Sequence, residues 1–382
     1  MRSAFFPLIA AAIAAITTAS NDFLYSTRMI ESVISRKQGV LSSGAVTSTL
    51  ESGVLALAIQ SWLKAYGTDG DSERVANFTE YADSIVTSIS LTFKSPEAAA
   101  KMPMDRLTIG QALLRINATE GTLTAAESET LSLLNSSLTL QNRNKYNGFW
   151  YYVYPNWSYL DGTVSFLPYM ASAPGWSYGD MLLQIELLYL NTTTSPPDWL
   201  YTATTPPRRR SLGWYLAGLV NAWEELGDCH GKSNAECVRL TDAIQLQASQ
   251  LCKSIATYAD KDTGVWWQLP TFGGKKGNFL ESSSTMLYTF SILKGLRLGL
   301  LKDEASKLVS TAIKAYNYTV KSGAFLLDYH NGTLGWNGTV AVCSLNSTAT
   351  YEYYVGRPIV HNHALGEGAF ILASLEMERI TN

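Results

Sequence analysis

In the stretch RSLGWYLAGLVNAWEELG, Leu212, Leu216, Leu219, Trp223 and Leu226 recur at alternating steps of four and three. That spacing puts them on one face of an α-helix, and Gly227 supplies the stop. The same pattern covers residues 48–67, 104–116, 126–142, 179–191, 243–259, 281–301, 304–320 and 364–380. Several of these segments are apolar on more than one face, which predicts helices buried on both sides. Between them lie connections rich in Gly, Pro, Trp and Asn, such as DKDTGVWWQLPTFGGKKGN at 260–278. No fixed-period sequence repeat is visible, so a helical-repeat stack is the weaker reading. Roughly a dozen helices at about 60 residues per pair predict an all-α fold, an (α/α)6 barrel of six helical hairpins.

The chain has 382 residues and a net charge of −3. No basic stripe invites a nucleic-acid partner. The start, MRSAFFPLIAAAIAAITTAS, has a basic residue, an apolar run from Phe5 to Ile16 and small residues after it. This predicts a secretory signal peptide over 1–20, too short for a membrane span, followed by a single domain over 21–382. No later stretch reads as transmembrane. Asn-x-Ser/Thr signals stand at Asn77, Asn117, Asn135, Asn156, Asn191, Asn317, Asn331, Asn337 and Asn346, as expected of a secreted glycoprotein. In an oxidising compartment Cys229, Cys237, Cys252 and Cys343 allow one or two disulfides. Neither they nor the four histidines make a metal-ligand pattern, and no cofactor is expected.

There is no Walker loop and no GxSxG elbow, which leaves carboxylates to carry chemistry. Asp161, in NWSYLDGTVSFLPYM, stands among Trp157, Tyr159, Phe166 and Tyr169, with Gly162 leaving space beside it. The bland alternative is a helix N-cap. Apolar surroundings raise a carboxyl pKa and suit it to act as a general acid. Asp105, in MPMDRLTIGQALLRI, also opens an apolar helix after a loop. Equivalent ends of successive hairpins face one mouth of a toroid, so both carboxylates are expected in one pocket. In PPRRRSLGW, Arg210 and Trp214 are four residues apart and share a helix face, where an arginine can grip a substrate carboxylate. The alternative is a solvated basic turn.

The ordered segments MDRLTIGQALL, GFWYYVYPNWSYLDG, RRRSLGWYLAGLV, DTGVWWQLP, NFLESSSTMLYTFSILKGLRLG, YEYYVG and GEGAFILASLE span nearly the whole mature chain. Together they resemble glycoside hydrolase family 105, the unsaturated rhamnogalacturonyl hydrolases, and more distantly the unsaturated glucuronyl hydrolases of family 88. The resemblance implies a six-hairpin glycosidase acting on an oligosaccharide that ends in a 4,5-unsaturated uronic acid. It makes Asp161 the general acid/base and Asp105 the second aspartate, with Arg210, Trp214, Tyr159, Trp266 and Trp267 contacting substrate. Tyr159 replaces a tryptophan, Tyr151 and Tyr152 replace a His-Lys pair, a histidine expected before Arg210 is missing, and His363 stands where an aspartate is usual. The competing expectations are an α/α-barrel glycosidase acting on saturated glycans, or a non-catalytic carbohydrate-binding relative.

Overall fold

The computed structural model describes residues 24–41, 48–68, 71–151, 156–193, 209–229, 234–303, 305–343 and 350–381. The signal-peptide segment, Tyr152, Arg208, Asn191 and Asn346 lie outside this set or have side chains outside it. Six inner helices form a closed ring: α2 (Thr49–Tyr66), α5 (Arg106–Glu120), α7 (Thr163–Ser172), α9 (Arg209–Glu225), α11 (Ser282–Arg297) and α14 (Ala364–Thr381). Each packs on the next, and α14 closes back onto α2. Outside them run α1 (Tyr25–Ser35), α3 (Ser72–Ser90), α6 (Ala125–Thr139), α8 (Tyr178–Thr193), α10 (Ala235–Thr257) and α12 (Lys307–Lys321), each preceding its inner partner in sequence. Short helices α4 (Pro96–Ala99) and α13 (Tyr351–Val355) lie in connections. The expected all-α barrel of six hairpins is what the chain forms.

Helix type follows the pattern, and so does burial. The inner helix α11 is buried from Ser282 to Gly295 without interruption. The outer α12 buries only Leu308, Ala312, Ala315, Tyr316 and Thr319, the single stripe of a surface helix. Starts are fixed by capping. Ser48 and Glu51 form a reciprocal capping box at α2, and Glu281 caps α11 by accepting from the Ser284 N–H at 2.7 Å.

The periodicity gave no sign of four short strands. Leu326–Asp328 (β1) pairs antiparallel with Leu334–Trp336 (β2), and Thr339–Val340 (β3) with Ile359–Val360 (β4). The second pair stands at the mouth of the ring.

At the opposite end, the C-terminal turns of the inner helices are tied by ions. Lys294 Nζ reaches Glu224 Oε2 at 2.7 Å and Asn221 Oδ1 at 2.7 Å, while Lys64 meets Glu224 at 3.1 Å. Arg297 grips Glu376 with two nitrogens, at 2.7 and 2.8 Å. Cations at helix C-termini also oppose the negative ends of the dipoles. These pairs join α2, α9, α11 and α14 into a polar floor.

Candidate active site

All six inner helices begin at the same end of the ring, around a cavity of about 450 Å³. Thr49, Leu50 and Glu51 open α2 there; Asp105 precedes α5, Asp161 precedes α7, Arg210, Ser211 and Trp214 lie in the first turns of α9, and Leu365 in that of α14. Converging helix N-termini give the cavity a positive backbone field that favours an anion.

Asp105 and Asp161 share this cavity, as the hairpin spacing predicts. Neither makes the bland N-cap contact. Asp105 stands at the N-cap position of α5 with helical backbone angles and no capping hydrogen bond. Its Oδ1 instead accepts a short hydrogen bond from the Tyr151 hydroxyl. Asp161 is the middle residue of a single 3₁₀ turn, Leu160–Gly162, and the N-cap position of α7 falls to the next residue, Gly162. The next residue after Asp105, Arg106, is fully buried and donates to Ser137 Oγ at 2.8 Å and Gln141 Oε1 at 2.7 Å, which clamps the start of α5 to α6.

Asp105 shows an edge to the cavity but lies deep in the molecule. Burial pushes its carboxyl up to about 7, helped by the charge of Asp161 and opposed by the Tyr151 hydrogen bond and by Arg106. A pair of carboxylates in one apolar cavity therefore holds a proton at pH values where an ordinary aspartate has lost it.

Arg210 and Trp214 line the cavity together, one turn apart. Arg210 is not a solvated turn residue: its Nη1 donates to the Val340 carbonyl of β3 at 2.6 Å. On the other side of Val340, its N–H donates to Glu281 Oε1 at 3.1 Å, so β3 is locked between α9 and α11. Tyr159 lines the cavity and stacks on Tyr151, with ring centroids 4.8 Å apart and planes 9° apart.

Two expected contacts are corrected. Trp266 is wholly buried, its indole N–H donates to the Ile255 carbonyl at 2.8 Å, and Tyr288 packs against it; it is a core residue outside the cavity. Trp267 does not line the cavity either, because its indole lies against Gly273 beneath the loop that follows. The neighbours Gln268 and Leu269 form the wall instead. Gly162 is also reassigned. A Cβ there would come within 2.9 Å of the Tyr151 ring, so the glycine makes room for a tyrosine rather than for a ligand.

Three residues that periodicity did not single out as functional belong to the site. Glu51 is the N3 partner in the capping box of α2, and it also lines the cavity. His363 Nδ1 lies 3.6 Å from Glu51 Oε1; burial first, then the charge of Arg210, hold the imidazole below its ordinary pKa. The third, Tyr151, carried a signal as a departure from a family pattern. Among the described residues no group of three or more His, Cys, Asp or Glu side chains is arranged to hold a metal.

Similarity to known proteins agrees with this geometry. Residues 209–381 match the model of Glycosyl Hydrolase Family 88. Protein Atu3128 of Agrobacterium fabrum is 28% identical over 173 residues, which are 44% of this chain and 70% of that protein. The family 105 glycoside hydrolase of C. acetobutylicum superposes with a TM-score of 0.75 at 23% identity, covering 94% of this chain and all of that one. The unsaturated glucuronyl hydrolase of Bacillus sp. GL1, described as responsible for glycosaminoglycan degradation, superposes with a TM-score of 0.63 at 12% identity, over 93% and 96% of the two chains. The fold of this protein is that of the six-hairpin glycosidases, and the sequence match over the last half of the ring is to a glycoside hydrolase family. Its likeness is to families 88 and 105, the resemblance that the ordered motifs carry.

Proposed function

We propose that this protein removes a 4,5-unsaturated uronic acid from the non-reducing end of oligosaccharides produced by polysaccharide lyases. The observation that carries the reading is the pair Asp105 and Asp161 in one cavity with Arg210, where burial and the neighbouring charge push Asp105 up to about 7. An enol ether needs a proton at C4 before water can add at C5, and a carboxyl pair that keeps one proton near neutrality meets that need.

In this mechanism Arg210, backed by the inner-helix N-termini, holds the substrate carboxylate. Tyr159 and Trp214 offer ring surfaces to the sugar. Asp161 delivers the proton to C4 and then, as the base, takes one from the water that attacks C5. The hemiketal so formed opens at the ring oxygen, leaving a ketone at C5. C1 then carries both a hydroxyl and the leaving sugar, and its collapse to an aldehyde releases the shortened chain. One water is consumed overall. Asp105 stores the pair's proton near neutrality, and that proton reaches C4 by way of Asp161.

The test follows the ultraviolet absorbance of the unsaturated bond in lyase-generated oligosaccharides. Asp161→Asn is expected to slow its loss at least ~100-fold. Decay at the wild-type rate would sink the mechanism. Release of sugar from saturated oligosaccharides by the wild-type protein would favour an ordinary glycosidase instead.

Secretion is part of the proposal. The N-terminal pattern of a signal peptide supports it, as does the disulfide between Cys229 and Cys237. Expressed in a eukaryotic secretory host, the mature chain should begin within a few residues of Ala19 or Ser20 and lose mass on enzymatic deglycosylation.

A further inference from the structure

The geometry points to Tyr151 as a positioning residue for Asp105: its hydroxyl holds Oδ1, leaving Oδ2 as the oxygen that carries the proton and faces the cavity. This rests on the function proposed above but has its own readout.

Several contacts converge on that hydroxyl. Tyr151 is buried and its ring is held on one face and along one edge. Tyr159 stacks on one side at 4.8 Å, and Tyr159 in turn stacks with Trp157 at 6.4 Å. Gly162 lies against the ring edge, where any larger residue would collide with Cδ2 at 2.9 Å. The backbone is held too, since the Tyr151 N–H donates to the Trp157 carbonyl at 2.7 Å. A phenol fixed in this way has little freedom except to point at Asp105, and it makes the short hydrogen bond to Oδ1. The glycine beside Asp161 is therefore linked to Asp105 through one tyrosine ring.

The charged and titratable groups around Asp105 are few. Asp161 shares its cavity, Arg106 follows it in the chain, and Glu51 and Arg210 line the cavity from α2 and α9. Among them Tyr151 is the group that donates a hydrogen bond to the Asp105 carboxyl. A hydrogen bond to a carboxylate favours its charged form, opposing burial and Asp161. Without it, Asp105 would hold its proton to higher pH and its two oxygens would be equivalent.

Tyr151→Phe tests this, because it keeps the ring, the stack on Tyr159 and the packing on Gly162 while removing the hydroxyl. On an unsaturated oligosaccharide, kcat is expected to fall ~10-fold with KM within about twofold. The alkaline limb of the pH profile should move up by about one pH unit. Gly162→Ala, which displaces the ring without touching the hydroxyl, should move the limb the same way. An unmoved limb in Tyr151→Phe, whatever happens to kcat or Tm, would make Tyr151 a packing residue and overturn the assignment. If the wild-type protein turns over no unsaturated substrate, the failure belongs to the proposed function. The tyrosine is then judged by carbon-13 spectra of the aspartate-labelled protein, with the Asp105 signal identified by its loss in Asp105→Asn. That signal should titrate about one pH unit higher in Tyr151→Phe, and an unchanged titration would again overturn the assignment.

Discussion

Asp105 gives up part of the molecule's stability to the cavity. Its carboxyl is raised from 3.8 to about 7, so the folded state binds the proton more tightly than the unfolded chain does. The stability this group contributes is fully present below about pH 4 and is lost as pH rises through about 7. Asp105→Asn should therefore be close to neutral for Tm at pH 4 and raise Tm by on the order of a few degrees at pH 8, where the wild-type carboxylate is ionised and buried. Differential scanning calorimetry at the two values checks this. In activity the sign is the same: under the proposed chemistry kcat/KM should fall about tenfold per pH unit above pH 7, as the pair loses its last proton. That Asp105 and Asp161 stand at one cavity was legible in the chain, because an aspartate after a loop and before an apolar helix is a recognisable position. What the chain did not reveal is how they are held. Tyr151 meets Asp105 across 46 residues of sequence, and no local pattern encodes that pairing. Trp266 and Trp267 look alike in sequence, and neither reaches the cavity because the turn after Gly264 sends one indole into the core and the other under a loop.

The inner helices approach one another so closely that some contacts admit no side chain. A Cβ on Gly218 of α9 would lie 2.6 Å from the backbone C and O of Thr163, at the start of α7. Backbone cannot rotate away as a side chain can, so Gly218→Ala should cost about 3 kcal/mol and move α7, along with the Asp161 turn before it. Chemical denaturation measures the first effect, and the loss of activity per folded molecule the second. Gly110→Ala faces the Tyr169 ring rather than backbone, so its cost should be smaller. At this scale the helices were legible because burial on one or both faces imposes its own periodicity. The β3–β4 pair was not. Two residues a side are too few to alternate visibly, and their pairing, Thr339 with Val360, is set by the ring around them. Yet β3 supplies the carbonyl that aims Arg210, so an invisible element positions a visible residue.

Across the whole molecule, the hairpin count and the closed barrel followed from helix length, number and the lack of a sequence repeat, whereas the contacts that close the ring, α14 on α2 from opposite ends of the chain, have no local signal. The disulfide between Cys229 and Cys237 is local to this architecture: it ties the end of α9 to the start of α10 across eight residues, while Cys252 stays buried in the core. Restricting so short a loop in the unfolded chain is worth about 2–3 kcal/mol. Cys229→Ser should lower stability by that amount in an oxidising buffer and by much less under reduction, as paired denaturation curves would show. The floor of ion pairs has a consequence for traffic. Lys294, Glu224 and their neighbours occupy the end of the ring opposite the cavity. Substrate therefore enters and product leaves on the side where the inner helices begin. Under the proposed chemistry each lyase-generated chain carries one unsaturated end, so it is shortened once and released: digestion should stop at one uronic acid freed per chain, as the released sugar counted against the loss of ultraviolet absorbance would show.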